Sequence, residues 1–178
     1  LAWQELRKGQ DEDFVKSPDT AVSTEVITDL FQKLMQWPEG FNPLRKVQKL
    51  LTDKVKMFDE NQKVDWATGE LLAFASLLKE GYDVRLSGED VKRGTFSHRH
   101  AALRDEKTNE EYIRLSRLSD DQGKFFIYNS LLSEYAVLGF DYGYAMANPS
   151  NLVLWEAQYG DFANGAEIII DQYLTSEE

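Results

Sequence analysis

The sequence contains no cysteine, no long hydrophobic run and no surplus of basic residues. Without cysteine the chain has no disulfide scaffold, no CxxC redox pair and no cysteine-ligated zinc site. No apolar stretch approaches the roughly 20 residues of a membrane-spanning helix. The formal net charge is −11, from 20 Lys and Arg against 31 Asp and Glu, so the chain is unsuited to neutralising a phosphate backbone. These absences argue against nucleic acid and membrane partners.

What remains is the composition of an ordinary globular domain. The 178 residues are 42% hydrophobic and 29% charged, which is enough for one sizeable α/β domain with a core. The chain begins Leu1-Ala2-Trp3, with neither an initiator methionine nor the apolar stretch of a signal peptide. We therefore expect a piece of a longer polypeptide, and the lack of cysteine fits the cytoplasm.

Helical periodicity dominates the first third of the sequence. Residues 1–20 are polar and form a predicted arm or linker, and residues 21–63 form a predicted helical segment. Apolar residues recur at three-to-four spacing over residues 22–34 and again over residues 47–58. A third helix is predicted over residues 65–81.

Short apolar strands alternate with helices over the rest of the chain. Strands are predicted at residues 82–86, 125–128 and 152–155, a helix capped by Ser133 follows the second, and a helix through Tyr173 follows the third. This order is typical of α/β proteins with a doubly wound, mostly parallel sheet. Ligands bind such sheets outside the carboxyl ends of the strands, so we expect the functional edge there. The segments that follow the three strands are 87–90, 129–134 and 156–164.

Glu134 is the first candidate for chemistry, because it follows a strand at this edge and begins a predicted helix. Apolar neighbours would desolvate its carboxyl group and raise its pKa, so that the group stays protonated and can donate. These neighbours are Leu131, Leu132, Val137 and Phe140. The helix N-terminus acts in the opposite direction and favours the carboxylate by roughly 0.3–1 kcal/mol. A plain helix-start acid is the alternative interpretation.

The segment 156–164 is long and aromatic for a connector, which usually has about two to six residues. Tyr159 and Phe162 would offer a stacking surface for a flat ring. The alternative is that both aromatic side chains belong to the core.

His98 and His100 are the only histidines. Two residues apart on an extended chain, they would face the same way. A metal site with Glu89 or Asp90 is one interpretation, but Arg99 places a cation between the histidines and no third ligand is clear, so we assign no metal. Handling of an anionic substrate and a solvated surface loop are the other interpretations.

Five segments taken together resemble a known enzyme family. They are residues 85–90 (RLSGED), 93–101 (RGTFSHRHA), 132–143 (LSEYAVLGFDYG), 154–166 (LWEAQYGDFANGA) and 170–172 (IDQ). Their order and spacing resemble those of the decarboxylating component of 2-oxoglutarate dehydrogenase, a thiamine diphosphate-dependent oxidoreductase. Residues 64–178 are identified by this resemblance as an aminopyrimidine-binding, transketolase-like domain.

The resemblance implies roles for individual residues. Glu134 matches the glutamate that hydrogen-bonds the aminopyrimidine ring and activates the cofactor. Phe162 matches the aromatic residue that stacks on that ring, with Tyr159 as its neighbour. Glu89 matches a position that approaches cofactor and substrate, so these four residues are the predicted cofactor-binding residues.

The resemblance implies less definite roles for three further residues. His98 falls at a variable position of the family, and His100 follows the family pattern better. Both are secondary candidates for handling substrate. Gly160-Asp161 resembles the start of the metal-diphosphate motif of thiamine enzymes, but the later residues of that motif are missing, so no metal is assigned to Asp161.

The implied reaction is decarboxylation of a small 2-oxo acid, 2-oxoglutarate, and transfer of the succinyl group to a lipoyl group. That group belongs to a succinyltransferase partner, in a step of the tricarboxylic acid cycle next to glycolysis. Family members are homodimers, in the cytoplasm of bacteria or in the mitochondrial matrix. A related 2-oxoadipate dehydrogenase and a non-catalytic dimerisation domain are the alternatives.

The family's metal-diphosphate domain and its C-terminal domain have no counterpart in this sequence. We therefore expect the aminopyrimidine-binding domain to be truncated at its C-terminus and Mg²⁺ to be bound by a domain outside this chain. We also expect the isolated chain to bind thiamine diphosphate poorly and to be inactive.

Overall fold

The computed structural model describes residues 2–131 and 133–176. The first three helices are α1 (Thr24–Leu34), α2 (Arg45–Asn61) and α3 (Trp66–Lys79). Ser23 and Asp65 begin α1 and α3, because their side chains accept hydrogen bonds from the backbone N–H groups of Val26 and Thr68. The three helices predicted from periodicity are confirmed. Within the described residues, no helix is long and apolar enough to cross a membrane.

A three-stranded parallel sheet forms the centre of the second part of the chain. Its strands are β1 (Val84–Gly88), β4 (Phe125–Asn129) and β5 (Leu152–Glu156). Two further strands, β2 (Ala102–Arg104) and β3 (Glu111–Ile113), lie between β1 and β4 in the sequence. The parallel sheet consists of the three predicted strands in the order β4-β1-β5, and β2 and β3 form a separate antiparallel pair that was not predicted. The helices of this part are α4 (Glu134–Ala147) and α5 (Glu167–Ile169), which continues as a π-helical turn, Ile170–Leu174.

Helices cover both faces of the parallel sheet. Side chains alternate along β1, so Val84 and Leu86 point into the core that α1, α2 and α3 share. Arg85 and Ser87 point to the other face, where both hydrogen-bond Asp141 of α4. The doubly wound α/β fold predicted from the sequence is therefore confirmed.

The three parallel strands end at the same level. Gly88 at the end of β1 pairs with Asn129 at the end of β4 and with Glu156 at the end of β5. The segments that follow the strands therefore start side by side at one edge of the sheet, where the sequence predicts the ligand site.

The polar N-terminal arm contains two short 3-10 turns, Ala2–Glu5 and Asp11–Phe14. The arm contacts the α/β part through Trp3, whose indole Nε1 donates a hydrogen bond to the Met146 carbonyl oxygen at 2.6 Å. The arm thus reaches the C-terminal end of α4.

Candidate functional site

Three carboxyl groups meet at the carboxyl edge of the sheet. Glu89 follows β1, Glu134 begins α4, and Asp161 begins a 3-10 turn after β5. Each contributes one oxygen atom to a group whose members all lie within 4.8 Å of one another. We call these three residues the acidic edge. Glu89 is exposed and Asp161 is half-buried, whereas Glu134 is buried.

Glu134 has two oxygen atoms in different environments, and only 7% of the residue is exposed. Its Oε2 accepts a hydrogen bond from the Trp155 indole Nε1 at 2.6 Å, whereas its Oε1 is buried without a partner among the described residues. Burial raises the pKa of Glu134 above the ordinary glutamate value; the Trp155 bond opposes this rise, and Glu89 and Asp161 add to it. The carboxyl group is therefore biased toward its protonated form, in which it can donate a hydrogen bond.

The burial of Glu134 does not come mainly from the neighbours that the sequence suggested. Leu131 is 99% exposed and Phe140 is 61% exposed, whereas Val137 is buried. Leu132 lies outside the described residues. The Trp155 side chain contacts the carboxyl group instead. Sequence analysis assigned Trp155 only to a strand, and the alternation of side chains along β5 gave no signal for this contact.

Arg99 is a buried structural cation and not part of a substrate-handling surface. It is 2% exposed, its Nε lies 2.7 Å from Glu70 Oε2, and its Nη2 donates a short hydrogen bond to Glu156. Burial opposes its charge, but the hydrogen bonds that Arg99 donates to Glu156 and Glu70 outweigh that effect and raise the pKa of Arg99. Two carboxylates enclose Arg99, so its charge is balanced within the fold.

Close packing joins the loop after β1 to the end of β5. A Cβ atom at Gly88 would lie 2.4 Å from the carbonyl oxygen of Glu156, so only glycine permits this approach. The Thr95 hydroxyl donates to Gln158 Oε1 at 2.9 Å. These contacts, together with the Arg99–Glu156 pair, fix the loop that leads to Glu89 against the segment that leads to Asp161.

Tyr159 and Phe162 are surface residues in the segment after β5. Tyr159 is 80% exposed and Phe162 is 52% exposed, so the alternative that both belong to the core is wrong. Phe162 directly follows Asp161 of the acidic edge in the 3-10 turn Asp161–Ala163. Both rings are available to a ligand at this edge.

His98 and His100 line different cavities. Ser97 and His100 have positive φ angles of 54° and 44°, so the chain is not extended here and the expectation that both rings face the same way is wrong. His100 Nε2 lies 3.0 Å from Ser97 Oγ. Burial lowers the pKa of His100, and the nearby cations Arg114 and Arg93 lower it further.

The structure does not bring the histidines to the acids with which they would share a metal. Among residues 2–131 and 133–176, the acidic edge is the group of His, Asp and Glu side chains close enough to hold an ion. Asp90 instead pairs with Arg93 at 2.6 Å. The raised pKa of Glu134 makes it a poor anionic ligand, so we assign no metal to this edge.

Fold and site define a class: doubly wound α/β domains that bury a protonatable acid at the carboxyl edge of a parallel sheet. The chain belongs to the transketolase pyrimidine-binding domain family, whose model, "Transketolase, pyrimidine binding domain", matches residues 62–178. The matched residues include α3, the whole sheet and all three acids of the acidic edge.

The sequence is also similar to curated 2-oxoglutarate dehydrogenases, which confirms the resemblance seen in its motifs. It is 50% identical over 175 residues to the mitochondrial enzyme of Caenorhabditis elegans, covering 98% of this chain and 17% of that protein. It is 45% identical over 177 residues to the E1 component of Brucella anthropi, covering 99% and 18%. It is 46% identical over 158 residues to the E1 component of Bacillus licheniformis, covering 89% and 17%. The chain thus spans less than a fifth of the length of these relatives.

Proposed function

We propose that this chain is the cofactor-activating part of a thiamine diphosphate-dependent 2-oxoglutarate dehydrogenase. The enzyme is an oxidoreductase that decarboxylates 2-oxoglutarate and transfers the succinyl group to a lipoyl group. The observation that carries the proposal is the buried carboxyl group of Glu134, whose Oε1 has no partner among the described residues at the carboxyl edge of the sheet. The names of the relatives support the substrate.

The acidic edge fits the aminopyrimidine ring of thiamine diphosphate. A buried polar atom without a partner costs about 1–3 kcal/mol, and a ring nitrogen that accepts a hydrogen bond from Glu134 Oε1 would remove that cost. When bound, thiamine diphosphate supplies the nucleophilic carbon that attacks a 2-oxo acid. The role of Glu134 is to hold a proton at the pyrimidine nitrogen.

Trp155 determines which oxygen of Glu134 carries that proton. Its indole N–H can only donate, so Oε2 must accept and the proton of the neutral acid resides on Oε1. The negative charges of Glu89 and Asp161 favour the protonated form of Glu134. The site is therefore organised to present a hydrogen-bond donor in a fixed direction.

Further side chains at this edge complete the proposed site. Phe162 and Tyr159 are the exposed rings that would stack on the pyrimidine, and Glu89 lies beside the proposed donor. His98 and His100 are secondary candidates for substrate handling. The cavity at His100 includes Lys92 and Arg104, both of which pair with Glu111 of the same lining.

The parts of the reaction that need other groups are proposed to lie outside this chain. First, a domain elsewhere in the enzyme binds Mg²⁺ and the diphosphate. Second, the enzyme is a homodimer. Third, a succinyltransferase component carries the lipoyl acceptor. The repulsion between the carboxylates of Glu89 and Asp161 and a diphosphate supports the first point. The proposed division of the chain is an arm at residues 1–20, a helical segment at residues 21–63 and the aminopyrimidine-binding domain at residues 64–178. A bacterial cytoplasm or a mitochondrial matrix is the proposed compartment, and the mitochondrial relative supports the latter.

The direct test is activity of the full-length enzyme with and without the proposed donor. We would measure 2-oxoglutarate-dependent reduction of an artificial electron acceptor, with thiamine diphosphate and Mg²⁺ present, for the wild type and Glu134→Gln. We expect the variant to lose at least about a hundredfold in rate, because proton handling by a positioned acid contributes that much.

The matched control is Glu80→Gln, which makes the same change at an exposed position at the end of α3. It should keep the wild-type rate. If Glu134→Gln stays folded and keeps most of its rate, the role of Glu134 is wrong. If the wild type turns over 2-oxoadipate and ignores 2-oxoglutarate, the substrate assignment is wrong while the role of Glu134 stands.

A further inference from the structure

A cavity of about 430 Å³ lies among α2, the start of α3 and the loop that carries His98. Its charged and polar lining consists of Lys46, Lys49, Lys54, Asp53, Asp65 and His98. We call it the α2 cavity, and no residue of the acidic edge lines it. We propose that the α2 cavity binds a small molecule with two anionic groups, either phosphates or carboxylates.

Two unpaired lysines stand at the cavity. Lys46 and Lys49 are three residues apart on α2, so their side chains are neighbours on the helix surface. Neither makes a hydrogen bond or an ion pair within the part of the chain that the structure describes. Like charges at this spacing destabilise a helix slightly, and an anion between them reverses that effect.

The third lysine of the cavity is buried and already has a partner. Lys54 is 5% exposed, and its Nζ lies 3.0 Å from Asp65 Oδ2 and 3.0 Å from the Thr68 hydroxyl. Burial lowers the pKa of Lys54, and Asp65 opposes that change. Asp65 is also occupied by its hydrogen bond to the Thr68 backbone N–H at 2.8 Å. It is therefore not available to neutralise Lys46 and Lys49.

The imidazole of His98 is positioned by packing. Gly94 has a φ of +80°, and a Cβ atom there would lie 2.3 Å from His98 Cε1. Only a glycine therefore leaves room for the ring at this place. His98 Nδ1 is buried against Gly94 and has no hydrogen-bond partner among the described residues. Packing over Gly94 thus holds the ring in place, and His98 forms part of the cavity wall together with the two lysines.

The charge balance of the lining selects the class of ligand. The Lys54–Asp65 pair is internally neutral, which leaves Lys46 and Lys49 against Asp53. The net positive charge favours an anion, and two ammonium groups suit a ligand with two charged ends. The side chains of Leu50 and Met57 also line the cavity, so an apolar linker between the two charged ends has a surface to contact.

The test uses the fact that the chain has two histidines. Their imidazole resonances are followed by NMR while the chain is titrated with inorganic pyrophosphate and, in a second arm, with succinate. The His100→Gln variant assigns the two signals. We expect a saturable shift of the His98 resonance with at least one probe and little change at His100, which lines another cavity. The arm with the stronger binding distinguishes phosphate from carboxylate.

Variants that change the charge of the α2 cavity should change its affinity for the anionic probe in a predictable order. Lys46→Gln and Lys49→Gln should each weaken binding by about threefold, the effect of one partly exposed ion pair. Asp53→Asn should tighten binding, because it removes the opposing charge. Lys56→Gln is the matched control, since Lys56 is exposed on the same helix and does not line the cavity. It should have no effect.

Two results would overturn the proposal. One is a His98 resonance that responds to neither probe, or that responds equally to sodium chloride at the same ionic strength. The other is a loss of affinity in Lys56→Gln as large as that in Lys46→Gln, which would show general attraction to α2. The four charge variants change exposed side chains, so circular dichroism should show an unchanged fold for each of them.

Discussion

At the scale of single residues, the central feature is the carboxyl group of Glu134, whose two oxygen atoms differ in their hydrogen bonding. Trp155 satisfies Oε2 of Glu134, while Oε1 is buried and has no partner among the described residues. A carboxyl group placed only for structure would have both oxygens satisfied, because buried polar atoms in proteins are almost always hydrogen-bonded. The arrangement therefore leaves a hydrogen-bond donor without a partner among the described residues, at the place where we propose that the pyrimidine binds.

The first prediction concerns the hydrogen bond from Trp155. Its loss in Trp155→Phe removes the contact that lowers the pKa of Glu134, so that pKa should rise further. Where the group is ionised, the unsatisfied oxygen should also cost about 1–3 kcal/mol of stability. Carboxyl ¹³C NMR titration and urea unfolding of the chain measure the two effects. Trp66→Phe, at a residue that is 95% exposed, should change neither, and a lower pKa of Glu134 in Trp155→Phe would contradict the prediction.

The second prediction follows from the raised pKa of Glu134. The folded chain holds the proton more tightly than the unfolded chain, so the stability from this proton is complete below the unfolded pKa, about 4.3 for glutamate. That stability is lost as pH rises through the folded pKa. Glu134→Gln does not titrate, and its stability relative to the wild type should therefore increase with pH. Unfolding at pH 4 and pH 7.5 measures this, with Glu80→Gln as the control. A difference that is constant with pH would show that Glu134 has an ordinary pKa.

At the scale of secondary-structure elements, a charged clamp fixes α4 on the sheet. Asp141 is 2% exposed; it accepts hydrogen bonds from Arg85 Nε at 2.7 Å and from the Ser87 hydroxyl. The guanidinium of Arg85 lies 5.0–5.1 Å from the centres of three aromatic rings, which stabilise a cation. Asp141 follows Glu134 by two helical turns, and Ser87 of β1 lies two residues before Glu89. The clamp thus fixes α4, which begins with Glu134, to β1, which Glu89 directly follows.

The third prediction tests this clamp. Asp141→Ala leaves the mostly buried Arg85 without its carboxylate, which should cost about 3 kcal/mol of the free energy of unfolding. Asp141→Asn, which keeps one hydrogen-bond acceptor, should cost less. Urea unfolding at neutral pH measures both, with the exposed Asp171→Ala as the control. A loss below about 1 kcal/mol in Asp141→Ala would mean that apolar packing alone fixes α4.

The regular elements were predictable from the sequence because they follow simple periodicities. Three-to-four spacing identified α1, α2 and α3, and short apolar runs identified β1, β4 and β5. The convergence of the segments after these strands followed from parallel topology alone. The pair β2 and β3 was missed because each has three residues and they carry no clear alternation.

Side-chain contacts across the fold were not predictable in the same way. Arg99 lies between two histidines in the sequence, yet its charge is enclosed by Glu70 and Glu156, which are 29 and 57 residues away. The backbone turns at Ser97 and His100 separate the two histidines, and nothing in the residue types requires a positive φ there. Long-range pairing and rare backbone angles depend on tertiary structure, so local pattern does not reveal them.

At the scale of the whole molecule, the dominant property is negative charge, and it is concentrated where the proposed ligand would bind. The net charge is −11, and the acidic edge places three carboxyl groups within 4.8 Å of one another. The pyrimidine end of thiamine diphosphate finds a donor and two exposed rings here, whereas the diphosphate end would meet acids. The molecule is therefore suited to recognise one end of the cofactor.

The last prediction compares two ligands that differ only at the diphosphate end. In calorimetry on this chain with Mg²⁺ present, thiamine diphosphate should bind with a Kd weaker than about 1 mM, which corresponds to a binding free energy of less than about 4 kcal/mol, because only the pyrimidine end is recognised. Thiamine without the diphosphate should bind at least as well, because it avoids repulsion by Glu89 and Asp161. Glu134→Gln should weaken whatever thiamine binding is measured. A micromolar Kd for thiamine diphosphate would mean that this chain contains a diphosphate site of its own, and the division of cofactor binding between two domains would then be wrong.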